Sequence, residues 1–427
     1  MGCHCNYDYL LKIVKQDVFP ALGCTEPVAV AFAAAVARGY LKGNLDNMLI
    51  QVSKNVYKNG RFVIIPNTNL YGLDIAGALG YLSGNPENGF LVFKDVDEVT
   101  IKAAHELIKS GRIKLEYLDE SPDVYVHIAA RDANDLVEVE IKDNHNHIER
   151  IMLNGEIVYE EKIDDVNCES IDYLKNMSFK EIREICESIP IEEFEFIQDG
   201  IEMNKKAAEI GIDGSIGLNI GHTLNRLVET GMLGNDAPTK ARILTAAACD
   251  VRMGGGDYPI MTSGGSGNQG IGVVLPILVV AEERRIEKER LLRAIFLGHV
   301  INRYVKIYTG KLSGICGCAI AAGIGASAGI SWMLGGDDDN ISGACNNMLA
   351  NLTGMICDGA KETCALKLAA SASEAVISAY LSKENVTIRK NVGIIGNSIE
   401  ETIRNVGMLT KEYFNKIDNG IITILNG

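Results

Sequence analysis

Between residues 46 and 161, apolar and polar positions alternate in short runs, a pattern typical of strands with one buried face. Residues 154 and 155 are Asn-Gly, the pair preferred in two-residue hairpin turns. Helical spacing is predicted at 72–82 and 96–110. The predicted strands are 47–57, 61–66, 112–117, 123–130, 136–142, 147–153 and 156–160. This region is therefore predicted to be a small α/β unit of mostly antiparallel strands.

The regions on either side have helical patterns. Residues 8–40 are predicted to form two helices broken at 20–27, and the second is so rich in Ala and Val that we expect burial on every face. Residues 164–203 are acidic and amphipathic. From about residue 204 onward nearly every segment is predicted to be helix or glycine-rich loop.

These patterns together predict an α+β fold in three parts. Residues 1–45 are expected to form N-terminal helices that pack on the C-terminal domain. Residues 46–163 are expected to form the smaller inserted domain. Residues 164–427 are expected to form a largely helical domain, which we predict to carry the catalytic site.

Composition limits the partners and the compartment. The net charge of −15 argues against binding to nucleic acid or to an anionic membrane. Eleven cysteines in a chain of 427 residues without a signal-peptide pattern favour a reducing, cytoplasmic location over a disulfide scaffold. No membrane span is predicted, because the stretch 271–281 is short and contains Pro276, and 316–334 consists mainly of Ala, Gly and Ser. The apolar helices are compatible with a homodimer.

Four cysteines in the C-terminal third, Cys316, Cys318, Cys357 and Cys364, indicate a metal or cluster site. On an ideal helix Cys357 and Cys364 would lie about 10 Å apart, which is long for one zinc ion. A loop opened at Gly359, or a larger inorganic core, would accommodate the pair better, so an iron–sulfur cluster is favoured over zinc. The alternative is four buried free cysteines that act as small hydrophobic residues.

Two other segments carry candidate chemistry. Residues 263–270, Ser-Gly-Gly-Ser-Gly-Asn-Gln-Gly, resemble an anion cradle in which Ser266, Asn268 and Gln269 add donors before a predicted helix. Cys24 lies at the start of a buried helix, where the helix dipole is expected to lower the thiol pKa and favour the thiolate. Cys24 is therefore a candidate base or nucleophile, and the alternative is an inert cysteine in a turn.

Several polar residues have weaker signals. Asn67 follows Pro66 at the end of a predicted strand, where its amide could hold a polar substrate or only turn the chain. His222 and His299 are more typical of structural histidines. His145 and His147 lie in a polar hairpin without an obvious third ligand.

Four motifs in this order resemble the L-cysteine desulfidase family, which is related to the iron–sulfur L-serine dehydratases and includes many uncharacterised members. The resemblance extends from about residue 8 to residue 417. Its motifs are the segments 23–27, 263–269, 312–318 and 354–364.

The resemblance implies a lyase that converts L-cysteine and water to pyruvate, hydrogen sulfide and ammonia. It implies a [4Fe–4S] cluster held by three cysteines, with one iron that lacks a protein ligand. Cys357 and Cys364 match two ligand positions, and the third is Cys316 or Cys318, with Cys316 favoured. Cys24 matches the family's proton-transfer residue. The substrate would be a small amino acid whose carboxylate is held by Ser266, Asn268 and Gln269, with Asn67 as a further polar contact, and no pyridoxal phosphate is expected.

Two alternatives remain at this point. An L-serine dehydratase would use the same mechanism with a different leaving group. A non-catalytic iron–sulfur or zinc redox sensor would leave no metal position open to substrate. The cysteine set together with Cys24 favours the enzyme.

Overall fold

The computed structural model describes residues 7–161 and 165–427. The first part contains most of the strands of the protein. Its elements are α1 (Asp8–Asp17), β1 (Pro20–Ala21), α2 (Thr25–Tyr40), β2 (Asn47–Ser53), α3 (Lys54–Gly60), β3 (Ile64–Ile65), β4 (Leu70–Tyr71), α4 (Leu73–Ser83), α5 (Glu98–Lys109), β5 (Ile113–Leu118), β6 (Tyr125–Arg131), β7 (Leu136–Lys142), β8 (Ile148–Leu153) and β9 (Glu156–Glu160).

The second part is almost wholly helical. Its elements are α6 (Asp165–Lys175), α7 (Phe179–Ser188), α8 (Glu195–Ile212), α9 (Ile220–Glu229), α10 (Ala237–Met253), β10 (Ile260–Met261), α11 (Gly267–Arg284), α12 (Lys288–Thr309), α13 (Gly323–Met333), α14 (Asp338–Leu352), α15 (Cys364–Lys383), α16 (Ile399–Leu409) and α17 (Asn415–Asn426). The predicted α+β class is confirmed.

The main sheet has six strands in the order β5-β2-β6-β7-β8-β9. Only β2 and β5 are parallel, so the predicted mostly antiparallel arrangement is confirmed. The predicted strand 47–57 is too long, because Ser53 accepts a hydrogen bond from the Val56 amide and begins α3. The predicted strand 61–66 contributes only β3, which pairs with β4 outside the main sheet.

Helices α2 and α4 cover one face of the sheet and form a first hydrophobic core with it. They touch backbone to backbone, since a Cβ on Gly80 would lie 2.2 Å from the Ala31 carbonyl oxygen. Both N-terminal helices were predicted to pack on the C-terminal domain, but only α1 belongs to the helical core. The small Ala side chains of α2 allow α4 to approach closely, which directs this helix to the sheet instead.

The second core consists of α1 and the helices from α6 to α16, packed through small residues. A Cβ on Gly325 of α13 would lie 2.3 Å from the Gly298 carbonyl oxygen of α12. By length and composition α15 could cross a membrane, and 61% of its most apolar window is buried inside the protein. The apolar stretch 316–334 divides into a π-turn, Cys318–Ala322, and the fully buried α13. Both segments therefore pack as core helices.

Several contacts join the two parts of the chain. Strand β1 pairs with β10, with Pro20 opposite Met261. Helix α3 packs against α17, and Lys58 forms an ion pair with Asp418 at 2.5 Å. Lys58 also donates to the Ser313 carbonyl oxygen at 3.3 Å, so it ties α3 to the segment just before Cys316.

Lys58→Met is expected to lower the free energy of unfolding by about 3–5 kcal/mol, because it leaves the carboxylate of Asp418 buried without its counter-charge. The Lys58 and Asp418 side chains are only 0% and 10% exposed. Urea denaturation of both proteins measures the difference. Lys54→Met is the matched control, because its partner Asp119 is 83% exposed and the loss should be at most about 1 kcal/mol. Equal losses in the two variants would contradict the prediction.

Candidate active site

A cavity lies where the inserted domain meets the helical domain. Its walls come from the start of α2, the end of α3, residues 144–146, α10, residues 264–269 and the end of α12. The two cysteine segments, 312–318 and 354–364, complete the lining. The volume is about 100 Å³, several times the roughly 10–15 Å³ that one water requires. The space is therefore suited to a small molecule.

The two cysteine segments are held side by side by backbone hydrogen bonds. Ile315 and Ile356 form an antiparallel bridge. The Cys316 amide donates to the Met355 carbonyl oxygen at 2.8 Å, and the Cys357 amide donates to the Gly314 carbonyl oxygen at 2.9 Å. Segments separated by some forty residues of chain thus present Cys316 and Cys357 to one cavity.

Cys364 reaches the same cavity from the first residue of α15. The residues between Cys357 and Cys364 are not helical, as predicted, and Gly359 has a φ of +97°. The Cys357 and Cys364 sulfurs make only long contacts of 3.8 Å, to Asn59 Oδ1 and to the Gly359 carbonyl oxygen respectively. Neither thiol is committed to a strong hydrogen bond.

The Cys316 and Cys318 thiols differ in protonation. A hydrogen bond from Cys318, together with the Ala319 amide and the nearby Lys367, lowers the pKa of Cys316 to about 6 despite burial. The same hydrogen bond and burial raise the pKa of Cys318 well above its usual value. Cys316 is therefore a thiolate at neutral pH, the form in which cysteine binds metals.

The donor set fits a cluster better than a single ion. In the parts of the chain that the structure describes, no three His, Cys, Asp or Glu side chains converge on one position as ligands of a single metal ion. The four thiols of the two cysteine segments, those of Cys316, Cys318, Cys357 and Cys364, nevertheless line one small cavity. An iron–sulfur cluster spans a larger volume than one ion and accepts thiolates that are further apart.

A buried polar network at the start of α2 lines the same cavity. The Cys24 thiol donates to Glu26 Oε2 at 2.8 Å, and Asn59 Nδ2 donates to Glu26 Oε1 at 2.9 Å. Thr25 Oγ1 also donates to Glu26 Oε2, at 3.2 Å. His145 Nε2 lies 4.0 Å from Glu26 Oε1 and has no hydrogen-bond partner of its own.

The protonation of this network corrects the expectation for Cys24. Burial and the Glu26 carboxylate raise the pKa of the Cys24 thiol well above its usual value, so the predicted thiolate is wrong. Burial raises the pKa of Glu26, but His145 and the hydrogen bonds from Cys24 and Asn59 outweigh it and the net pKa is lowered. Burial lowers the pKa of His145 to about 4. At neutral pH the network is thus a thiol, a carboxylate and a neutral imidazole.

The predicted anion cradle is the first turn of α11. Ser266 stands at its N-cap, and Ser266, Asn268 and Gln269 all line the cavity. Both ends of the Asn268 amide already have partners, since its Oδ1 is 3.6 Å from the Cys249 thiol and its Nδ2 is 3.5 Å from the Met253 sulfur. Gln269 Oε1 is buried without a partner. The structure does not bring Asn67 into this group, because Asn67 turns the chain between β3 and β4.

Several cavity residues were given no role from the sequence, although Glu26 lies in the motif 23–27 and His145 was considered as a weak candidate. Arg252, Glu26, His145, Lys306 and Lys311 all line the cavity. Lys306 Nζ donates to the Gly264 carbonyl oxygen at 2.5 Å, and burial lowers its pKa to about 7. Lys311 contacts Asn144 and therefore fixes the loop that carries His145. The sequence signal that could have identified Arg252 is the pair of charged residues at positions 250 and 252 in an alanine-rich helix.

His299 and His222 have structural partners, as predicted, whereas His147 lies outside the cavity lining with its Nε2 buried and unpartnered. His299 Nδ1 pairs with Ser263 Oγ at 2.7 Å, and His222 Nδ1 donates to the Ile212 carbonyl oxygen at 2.7 Å. His299 thus supports the loop that leads into α11, and His222 fixes the end of α8. Neither of them lines the cavity.

Comparison with known proteins places the chain in a family. A family model described as serine dehydratase alpha chain matches residues 92–423. The chain belongs to this family. A UPF0597 protein from Clostridium botulinum (strain Okra / Type B1) is 53% identical over 419 residues, covering 97% of this chain and 96% of the relative. Further UPF0597 proteins are 39% identical in Alkaliphilus metalliredigens (97% and 94% covered) and 36% identical in Clostridioides difficile (97% and 99% covered).

Membership in the serine dehydratase alpha-chain family confirms the kinship predicted from the motifs. It identifies a lyase-like enzyme from a family associated with iron–sulfur clusters. The name of the UPF0597 relatives specifies no reaction, so the choice of substrate depends on the site itself.

Gly359→Ala is expected to destabilise the protein and to reduce its iron content. A Cβ at this position would lie 2.5 Å from the Lys58 carbonyl oxygen, and the positive φ alone costs about 1–2 kcal/mol for a residue with a side chain. Thermal unfolding and iron analysis test this. Gly354→Ala is the control, because a Cβ there would meet no atom within 4 Å. Similar melting temperatures and iron contents for the two variants would contradict the prediction.

Proposed function

We propose that this protein is an iron–sulfur-dependent lyase that converts L-cysteine and water to pyruvate, hydrogen sulfide and ammonia by α,β-elimination. The observation that carries the proposal is the placement of Cys316, Cys357 and Cys364 in one cavity with the Cys24–Glu26 pair. The first group provides soft metal ligands, and the second provides a proton acceptor in a buried environment. The general activity class, a lyase of the serine dehydratase type, is supported by membership in the serine dehydratase alpha-chain family.

Cys316, Cys357 and Cys364 would hold a [4Fe–4S] cluster, which when bound supplies a Lewis acid at an iron without a protein ligand. The thiolate state of Cys316 and its position across the bridge from Cys357 support Cys316 over Cys318 as the third ligand. The Cys318 thiol would then serve as a hydrogen-bond donor to the Cys316 sulfur.

Cys24 and Glu26 act as a proton relay. Because the Cys24 thiol donates to Glu26, it can accept the substrate α-proton on sulfur only as its own proton passes to Glu26 Oε2. The electron pair of the Cα–H bond forms the Cα=Cβ double bond, and the β-sulfur leaves with the pair of the C–S bond. The resulting aminoacrylate tautomerises and hydrolyses to pyruvate and ammonia without the enzyme.

Burial supports this role. The Cys24 and Glu26 side chains are nearly inaccessible, so the relay is shielded from bulk water. The donors to the Glu26 carboxylate fix its position before the reaction begins, so little reorganisation is needed when the proton is transferred. Asn59 connects the relay to the cluster segment through its contacts with Glu26 and Cys357.

The second candidate is L-serine dehydratase, favoured by the description of the family model. It uses the same relay and differs only in the leaving group. A redox sensor is less well supported, because a sensor has no need of the buried Cys24–Glu26 relay or of a cavity lined with orphaned polar atoms.

Purification without oxygen, reconstitution with iron and sulfide, and parallel assays on L-cysteine and L-serine test the proposal. Equimolar sulfide and pyruvate from L-cysteine, lost on exposure to air, is the expected result. Pyruvate from L-serine alone would assign the dehydratase. A full cluster with neither activity would contradict both, and D-cysteine serves as the control for uncatalysed sulfide release.

A further inference from the structure

We infer that Arg252, together with the first turn of α11, forms the subsite for the α-carboxylate of an amino-acid substrate. The inference deepens the proposed function and rests on it for the identity of the substrate. It assigns a role to a residue that belongs to none of the four motifs.

Arg252 is a buried cation without a counter-charge. It is 2% exposed and lines the cavity. Within residues 7–161 and 165–427 no ion pair or side-chain hydrogen bond involves Arg252, and its Nε is buried without a partner. An arginine is rarely buried in this way unless an anion completes the site.

The guanidinium lies directly against the beginning of α11. A Cβ on Gly267 would be 2.3 Å from Arg252 Nε, so the glycine at this position of the motif leaves the space that the arginine occupies. The first amides of a helix have no intrahelical acceptors, and Ser266 makes no side-chain cap. The guanidinium and these amides are donors of the kind that bind a carboxylate.

A partner for the substrate ammonium group is also present. Gln269 Oε1 is buried without a donor, and its amide nitrogen would lie 2.6 Å from a Cβ on Gly317. The side chain is therefore confined between α11 and the first cysteine segment. A cation and an orphaned acceptor on the same wall match the two ends of an amino-acid zwitterion.

Arg252 has another conceivable role, as a counter-ion for the cluster thiolates. The cations beside the cysteine segments are different residues, because Lys367 donates to the Ile356 carbonyl oxygen at 2.9 Å and Lys58 donates to the Ser313 carbonyl oxygen at 3.3 Å. Arg252 instead lies against the start of α11, where a Cβ on Gly267 would be 2.3 Å from its Nε. Its position is therefore on the substrate side.

Calorimetric binding of L-alanine and L-alaninamide to the reconstituted protein tests the subsite. L-alanine keeps both charged groups but has no leaving group, and L-alaninamide lacks the carboxylate. We expect wild type to prefer L-alanine, and R252Q to weaken L-alanine binding roughly 30-fold or more while L-alaninamide binding changes little. R252K should recover part of the affinity, since lysine keeps the charge without the paired donors.

R285Q is the control, an exposed arginine at the other end of α11. Iron and sulfide contents are measured for each variant. The inference is overturned if wild type does not distinguish L-alanine from L-alaninamide, or if R252Q loses iron but still binds L-alanine as wild type does. If neither L-cysteine nor L-serine is turned over while R252Q selectively loses L-alanine binding, the proposed reaction fails and the carboxylate subsite stands.

Discussion

Cys357→Ser is expected to reduce bound iron to a small fraction of the wild-type amount and turnover by about 100-fold or more, since even outer-shell residues of metal sites contribute 10–100-fold. The sulfur faces the cavity with only a 3.8 Å contact to Asn59, so it is available as a ligand. A serine oxygen is a poor substitute for a soft thiolate. Iron and sulfide analysis of anaerobically reconstituted protein, with the visible absorption spectrum, measures the effect. Cys364→Ser should give the same result.

Cys345→Ser is the matched control for this experiment. Cys345 is fully buried in the same helical core but does not line the cavity. Its loss should leave the iron content unchanged. Cys318→Ser should also retain the cluster, whereas Cys316→Ser should lose it. A full cluster in Cys357→Ser would show that the ligand assignment is wrong.

The inserted domain was predictable because its strands have one buried face. Strands β7 and β9 lie at the predicted positions, and β6 and β8 are shifted by two residues or fewer at either end. Helix α3 was missed because seven residues provide little periodic signal. Its contacts with α17 and with Glu26 are tertiary, so no pattern in the local sequence predicts them.

The candidate site was predictable where its chemistry is local to one segment. The cysteine spacing indicated a cluster. The glycines of 263–270 indicated a helix that starts after this segment, and the structure places the start inside it, at Gly267. Arg252 and His145 come from segments more than a hundred residues apart and meet only through the packing of the two cores. The thiol pKa of Cys24 was misjudged because the helix dipole is a weaker effect than complete burial beside Glu26.

Cys24→Ala is expected to retain the cluster but to lower kcat by about 10²–10⁴-fold, the usual contribution of a general acid–base residue. Glu26→Gln should produce a loss of similar size, because a neutral amide cannot receive the Cys24 proton. If the two residues form one relay, the double variant should be scarcely worse than either single variant. Steady-state rates, normalised to iron content, measure these effects.

Thr25→Ala distinguishes the relay from simple support of the Glu26 carboxylate. Thr25 donates to the same oxygen as Cys24, at 3.2 Å rather than 2.8 Å. Its hydroxyl is far less acidic than a thiol, so it cannot pass its proton to Glu26. Removing this hydrogen bond should therefore reduce the rate far less than removing the thiol. If Thr25→Ala and Cys24→Ala were equally impaired, Cys24 would be only a donor that holds Glu26 in place. Near-normal turnover of Cys24→Ala with a full cluster would exclude a role for the thiol in proton transfer.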